Sequence, residues 1–312
     1  MVVAVGASSF SDTSRQAMDL LEEHGIEVRK NPFGRKLTEE ETIAHLQGAD
    51  GLLAGLEPLN ERVFSACPQL KAIARIGIGM DNVDAEAAKR HGIKVSNTPD
   101  APTEAVAEMT LAALLTIAHQ IVPANADVHG GVWKKRMGFS IRGAKALVVG
   151  YGRIGRRTAE LMQSLGAEIA VYDKYAAALS TCTLEEGLGW ADVITLHAAG
   201  TDMILSEAEL GLCRQGAILL NSARGGLVDE DALCRMLQSG RIASYWGDAL
   251  WREPYTGKLC ACPNAILTPH ICTYTTRCRE DMETAAARNL LEDLGCVSKG
   301  ACIGHPCGKS GR

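Results

Sequence analysis

The chain reads as an α/β protein of two domains, each a parallel sheet with helices on both faces. Short β-type runs alternate with helix-length segments from one end to the other, the pattern that makes parallel sheets with helical crossovers. The 312 residues are about twice the ~150 that one domain usually takes. Within Thr98-Pro99-Asp100-Ala101-Pro102 two prolines disfavour helix and mark a crossing between domains. The expected division is 1–98 plus 275–312, and 99–274.

In the first part, Val2–Val5, Glu27–Arg29, Gly51–Ala54, Ala72–Ala74 and Ile93–Ser96 read as strands. Helical stretches near Thr13–His24, Thr38–Leu46 and Ala85–His91 separate them, giving a small doubly wound unit. A long helix opens at Thr103 and runs to about Gln120; it is rich in Ala, Val, Met and Leu, so it should lie buried between layers. A second series follows: Ala146–Val149, Glu168–Tyr172, Val193–Leu196, Ala217–Asn221, Ile242–Ala249 and Ala265–Thr268. The stretch Thr275–Leu294 is helical, with charges on one side and apolar residues on the other, and would return to pack on the first domain.

Composition excludes several classes of function. Hydrophobic residues make up 46% and charged residues 22%, ordinary globular values, and no apolar run approaches the ~18 residues of a membrane span. A net charge of −5 offers no general attraction to nucleic acid or to an acidic membrane surface, so neither is an expected partner. The start, Met1-Val2-Val3-Ala4-Val5-Gly6, has no basic stretch and no cleavage site, which points to the cytoplasm. The 11 cysteines are too sparse for a disulfide scaffold and should be free thiols. Cys260-x-Cys262, and Cys302 and Cys307 with His305 between them, could hold a soft metal, but paired CxxC spacing is missing and no metal is expected.

Lys145-Ala-Leu-Val-Val-Gly150-Tyr151-Gly152-Arg153-Ile154-Gly155 places G-x-G-x-x-G after an apolar strand and before a helix. Gly150 allows the tight turn, Gly152 lets backbone approach a pyrophosphate, and Gly155 lets helix and strand pack closely. The helix N-terminus offers N–H groups and a positive dipole to the phosphates. Asp173, 18 residues past Gly155, stands where a carboxylate accepts from the ribose hydroxyls and repels a 2′-phosphate, so NAD is favoured over NADP. The alternative is a similar turn binding the adenosyl group of a methyl donor.

Leu219-Leu-Asn221-Ser222-Ala223-Arg224-Gly225-Gly226 ends a strand with an arginine beside two glycines. Its guanidinium suits a carboxylate taken bidentately. Glu253-Pro254 and Pro269-His270 follow adjacent strand ends, where a carboxylate and an imidazole can pair into an acid/base. With these motifs the sequence resembles the D-isomer-specific 2-hydroxyacid dehydrogenase family from about Gly51 to Glu283. Arg75-Ile-Gly77-Ile78-Gly79-Met-Asp81-Asn82-Val-Asp84, Asn97-Thr-Pro99, Val106-Ala-Glu108 and Asp248 add to the match.

That resemblance implies two Rossmann-like doubly wound parallel-sheet domains with the active site in the cleft between them, and a homodimer made by the long helix and the arm after it. Arg224, Glu253 and His270 would be catalytic. A short 2-hydroxy or 2-oxo acid would bind on Gly55, Leu56, Arg75, Gly77, Ile78 and Gly79 with Arg224 and His270. NAD would be held by the fingerprint residues with Asp173, His197, Ala198, Ala223, Asp248 and Thr103, and Val106 would also lie near the nicotinamide. Trp133 matches an arm tryptophan that can approach the partner's site. Hydride would pass to C2 while His270, kept charged by Glu253, donates the proton.

Several positions depart from the family pattern. Ala199 stands where a rigid proline is usual, and Cys272 adds a side chain near the expected nicotinamide position. Ser244-Tyr245-Trp246-Gly247 replaces small apolar residues. The motifs look nearest to 3-phosphoglycerate dehydrogenases lacking their regulatory domain, which makes that substrate the alternative. Against it, Ala54 replaces the usual phosphate-binding arginine and Glu57 follows, leaving Arg75 and Lys135 as candidate cations. A non-enzymatic NAD-responsive corepressor is the second alternative.

Overall fold

The computed structural model describes residues 1–298. Within them the chain forms two compact units, Met1–Pro102 with 275–298, and Thr103–Tyr274. The division falls four residues beyond the expected one, because Asp100 and Ala101 precede the first helical turn of the second unit.

The first unit contains β1 (Val2–Val5), α1 (Gln16–Glu23), β2 (Glu27–Arg29), α2 (Glu39–Leu46), β3 (Gly51–Ala54), α3 (Glu61–Ala66), β4 (Ala72–Arg75), α4 (Ala85–Arg90) and β5 (Lys94–Asn97). All strands are parallel, in the order β2-β1-β3-β4-β5. Helix starts are fixed by side chains. Thr38 and Glu41 form a capping box at α2, and Asn60 and Asp84 cap α3 and α4, each satisfying an amide that the helix leaves orphaned. The fully buried β3 packs Leu52 against Ile73 and Phe64 in the core.

The late helix α11 (Thr276–Asp293) packs along α1 and β3–β5, in this same unit. It is not simply apolar on its inner side: Arg279 and Glu283 are buried and paired at 2.6 Å, and Glu283 also accepts from Ser11 N–H. The inward charges satisfy each other, which an amphipathic reading of the sequence cannot anticipate.

The second unit begins with α5 (Pro102–Ala118) and α6 (Ile121–His129), bent by 58° where Gln120 takes φ 54°. The sequence predicts a single helix to Gln120 with an arm beyond it, and the left-handed glutamine instead starts a second helix. Nor is α5 buried all round, since Ala105, Val106, Leu114 and Ile117 are buried while Glu104, Glu108 and Ala112 are exposed. No single described helix is long and apolar enough to cross a membrane.

Then come β6 (Lys145–Val149), α7 (Arg153–Ser164), β7 (Glu168–Tyr172), α8 (Leu184–Trp190), β8 (Val193–Leu196), α9 (Glu207–Leu212), β9 (Ala217–Asn221), α10 (Glu230–Ser239), β10 (Ile242–Gly247) and β11 (Ala265–Leu267). Their sheet is parallel, ordered β11-β10-β9-β8-β6-β7. Winding reverses between β6 and β8, and ligands bind at the carboxyl ends of strands at such a switch point. Tyr245 and Trp246, adjacent on β10, point to opposite faces and enter the two cores flanking the sheet.

Candidate active site

The cradle at the end of β6 is built by close approach. Gly150 has φ 90°, and a Cβ there would lie 2.5 Å from the amide nitrogen of Ala198. A Cβ on Gly155 would lie 2.0 Å from the Gly150 carbonyl oxygen, while Gly152 faces open space. Only the middle glycine is therefore free for a ligand's approach, and no side chain caps α7, so its N-terminal dipole remains for an anion. Arg153 and Ile154 form the first turn, and Arg156 lies over the Tyr151 ring, 5.4 Å from its centroid.

Beside it opens a cavity of about 590 Å³, lined among others by Gly152, Asp173, Tyr175, His197, Ala198 and Met203. The Asp173 carboxylate accepts Tyr151 N–H at 2.7 Å and the amides of Tyr175 and Ala176 at 2.9 Å. Burial opposes its charge, but these amide bonds outweigh burial and hold it below the usual carboxylate range. Asp173 is thus ionised and locked in place at the rim. His197 is clasped by hydroxyls, Nε2 by Thr195 at 2.9 Å and Nδ1 by Ser222 at 3.0 Å. Burial pushes it down to about 3, so it stays a neutral spacer between β8 and the Ser222 turn.

At the end of β9, Asn221 accepts Ala223 N–H and donates Nδ2 to the Arg224 carbonyl at 2.8 Å, winding the turn that presents Arg224. A Cβ on Gly225 would lie 2.4 Å from Trp251 N, and Trp251 Nε1 donates to the Val228 carbonyl. These contacts bring the loop carrying Glu253 against the arginine turn. Glu253 Oε1 lies 2.9 Å from His270 Nδ1. Burial opposes the Glu253 charge, but His270 and then Arg224 hold it below its ordinary range. His270 has φ 55°, in the left-handed region.

Buried Asp248 governs that histidine's loop. One oxygen accepts from Thr268 Oγ1 at 2.6 Å and Ile271 N–H at 2.9 Å; the other accepts Cys272 N–H at 3.0 Å. Cys272 is buried in the core with Val106 and Trp246, and burial pushes its thiol up. Its side chain is spent on packing. Thr103, at the start of α5, keeps a buried hydroxyl with no hydrogen-bond partner among the described residues.

The first unit supplies the candidate substrate segments. Gly77 has φ 138°, and its amide donates to Thr98 Oγ1 at 2.8 Å. It is therefore committed within the unit; the Ile78 and Gly79 amides carry no partner among the described residues. Leu56 is exposed, whereas Glu57 is completely buried and does not face solvent as a loop charge. Arg75 donates to the Ile76 carbonyl.

The described cysteines are free thiols. No cluster of three or more His, Cys, Asp or Glu able to hold a metal occurs among the described residues; Cys302, His305 and Cys307 lie outside them. Asn221, Trp251 and Thr98 are site residues that the sequence does not single out. Asn221 has a signal there, an asparagine placed to fold its own turn.

A parallel sheet with a glycine cradle at its switch point and an acid at the rim of the cavity is the architecture of a dinucleotide-binding domain, and at neighbouring strand ends it carries the Glu253–His270 pair. Residues 111–272 match the family model described as D-isomer specific 2-hydroxyacid dehydrogenase, NAD binding domain. D-3-phosphoglycerate dehydrogenase of Sus scrofa is 35% identical over 282 residues, 85% of this chain and 52% of that one. Glyoxylate reductase of Thermococcus kodakarensis is 33% identical, covering 88% of each. The crystal structure of the TT0316 protein from Thermus thermophilus superposes with a TM-score of 0.86 at 35% identity, covering 95% of this chain and 97% of that one. The chain belongs to the D-isomer specific 2-hydroxyacid dehydrogenase family, and its cofactor is NAD. It spans about half the length of the phosphoglycerate dehydrogenase relatives it matches.

Proposed function

We propose that this protein interconverts a short 2-oxo acid and its D-2-hydroxy acid, consuming NADH and one proton in the direction of reduction. The observation that carries the reading is the 2.9 Å Glu253–His270 pair on loops tied to the Arg224 turn. NAD(H), when bound, supplies or takes the hydride at C2. Arg224 takes the substrate carboxylate and polarises the neighbouring carbonyl. The amides of Ile78 and Gly79 and the Gly55–Leu56 loop are the proposed binders on the first unit, which is the substrate domain in this reading. His270 holds the transferable proton at Nε2, since Nδ1 is engaged by Glu253, and gives it to the forming alkoxide. Asp248 keeps the 270–272 backbone in place.

Glyoxylate and hydroxypyruvate are the expected substrates, and the cytoplasm and a homodimer are the expected setting. The decisive experiment is NADH oxidation with these two acids, followed by NAD reduction across D- and L-2-hydroxy acids. Turnover of L-isomers alone, or of none, would sink the proposal.

A further inference from the structure

We propose that Trp251 and Tyr255 are positioning residues for the acid/base pair: they pin the loop on either side of Glu253 and so set its distance to His270. This rests on the reading that Glu253 and His270 act together in catalysis.

The loop has no backbone ladder to hold it. Among the described residues, 250–256 lie in no helix or strand and take part in no backbone–backbone hydrogen bond. The order of such a segment depends on what its side chains hold. Glu253 is the middle residue of the five from Trp251 to Tyr255, and each end carries an anchor. Trp251 Nε1 donates to the Val228 carbonyl at 2.9 Å, just past the Gly225–Leu227 turn that follows Arg224. Tyr255 Oη donates to Glu230 Oε1 at 2.6 Å and accepts Leu259 N–H at 3.1 Å. Glu230 opens α10, so both anchors reach one short segment, the one that continues from the arginine turn.

The surroundings are shaped for these contacts. A Cβ on Gly257 would lie 2.4 Å from both Tyr255 Oη and Glu230 Oε1, so a side chain there would push the two apart. The Trp251 ring neighbours two tyrosines, with centroids 6.4 Å from Tyr245 and 6.2 Å from Tyr255, the tilted spacing that aromatic pairs favour. Tyr245 is completely buried in the core beneath the sheet, which gives this row of rings a fixed end. The bond between Glu253 and His270, at 2.9 Å, leaves little room for error: it is lost by about 3.5 Å, and a misplacement of about 1 Å at a reacting group can cost about 10²-fold in rate.

The test is a double-mutant cycle on kcat for reduction of glyoxylate or hydroxypyruvate, in wild type, Trp251→Phe, Glu253→Ala and the two combined. Trp251→Phe keeps an aromatic ring and removes the N–H. It should lower kcat about tenfold in the wild-type background, within the range for a misplaced group, with NADH affinity unchanged. In the Glu253→Ala background it should change kcat less than about twofold, because what it positions is gone. An equal loss in both backgrounds would mean a general structural effect and overturns the proposal, as does a Trp251→Phe protein with wild-type kcat. Tyr255→Phe is read in the same way, and it decides alone if Trp251→Phe does not fold. If wild type reduces neither acid, or Glu253→Ala keeps full turnover, the functional reading fails separately, and carbon-13 NMR titration of the Glu253 carboxylate reads the positioning. Burial opposes that charge, and His270 holds it below the usual carboxylate range. In Trp251→Phe it should rise toward that range, and an unmoved titration overturns the proposal.

Discussion

Glu253 Oε1 and His270 Nδ1 share a hydrogen bond at 2.9 Å, and most of the proposed chemistry follows from it. His270→Ala should lower kcat by ~10²-fold or more, the ordinary contribution of a general acid, while NADH affinity measured by fluorescence changes little. Retention of more than a tenth of the activity would remove His270 from that role. The Glu253 carboxylate is held below its usual range, so it stays ionised throughout the neutral region. Glu253→Gln removes the carboxylate charge beside His270 while keeping a hydrogen-bond acceptor, and should lower kcat about tenfold or more with NADH affinity unchanged; an unchanged kcat would show that the pair is only structural. Asp173, ionised and fixed by three amides, should give at least tenfold preference for NADH over NADPH in kcat/KM, about 1.4 kcal/mol. Equal values would mean that the carboxylate does not reach the 2′-position. At this scale the pairing of Glu253 with His270 was legible because their types are specific, a glutamate and a histidine at adjacent strand ends. The sequence did not carry the direction of a side chain or amide. Gly77 donates to Thr98 and Glu57 turns inward, and both outcomes depend on contacts made by residues 21 and 51 positions away.

Elements were legible where a local rule fixes them. Short β-type runs gave β1, β2, β3, β7, β8 and β9 with their observed ends, and the helical stretch read near Thr38–Leu46 is α2. The short α3 went unrecognised because six residues carry too little helical period. The break between α5 and α6 was hidden because a left-handed glutamine leaves no compositional trace, and α6 buries none of its residues in the single chain. Helix α7 illustrates an element whose place is set by one atom: the missing side chain of Gly155 lets the helix lie against the Gly150 carbonyl. Gly155→Val should push α7 away from β6. The expected result is a fall in NADH affinity of tenfold or more, with a lowered melting temperature, since backbone at 2.0 Å cannot yield as a flexible side chain does. Unchanged affinity would show that the helix N-terminus does not hold the pyrophosphate.

On the scale of the whole molecule, fold class and domain order followed from alternation and length, whereas assembly depends on surface that a single chain leaves uncovered. Helix α6 and the segment to residue 140 expose Ile121, Val122, Val128, Val132, Trp133 and Met137, the last two at 88% and 94%. Monomers rarely present so many large apolar side chains along one stretch, and such patches mark association surfaces. Polar anchors within the segment, such as the Arg136–Asp127 pair at 2.6 Å, fix the arm's shape without covering these residues. A second copy of the chain is the partner that the family resemblance implies, and a symmetric dimer would cover the same patch on both subunits at once. Light scattering coupled to size-exclusion chromatography should give twice the mass of 33.2 kDa for the wild type. Trp133→Ser combined with Met137→Ser should shift the protein toward monomer at micromolar concentration while the far-ultraviolet circular dichroism is unchanged, because neither side chain is in the core. A wild-type protein that runs as a monomer at high concentration, with its activity intact, would show that the arm serves another purpose.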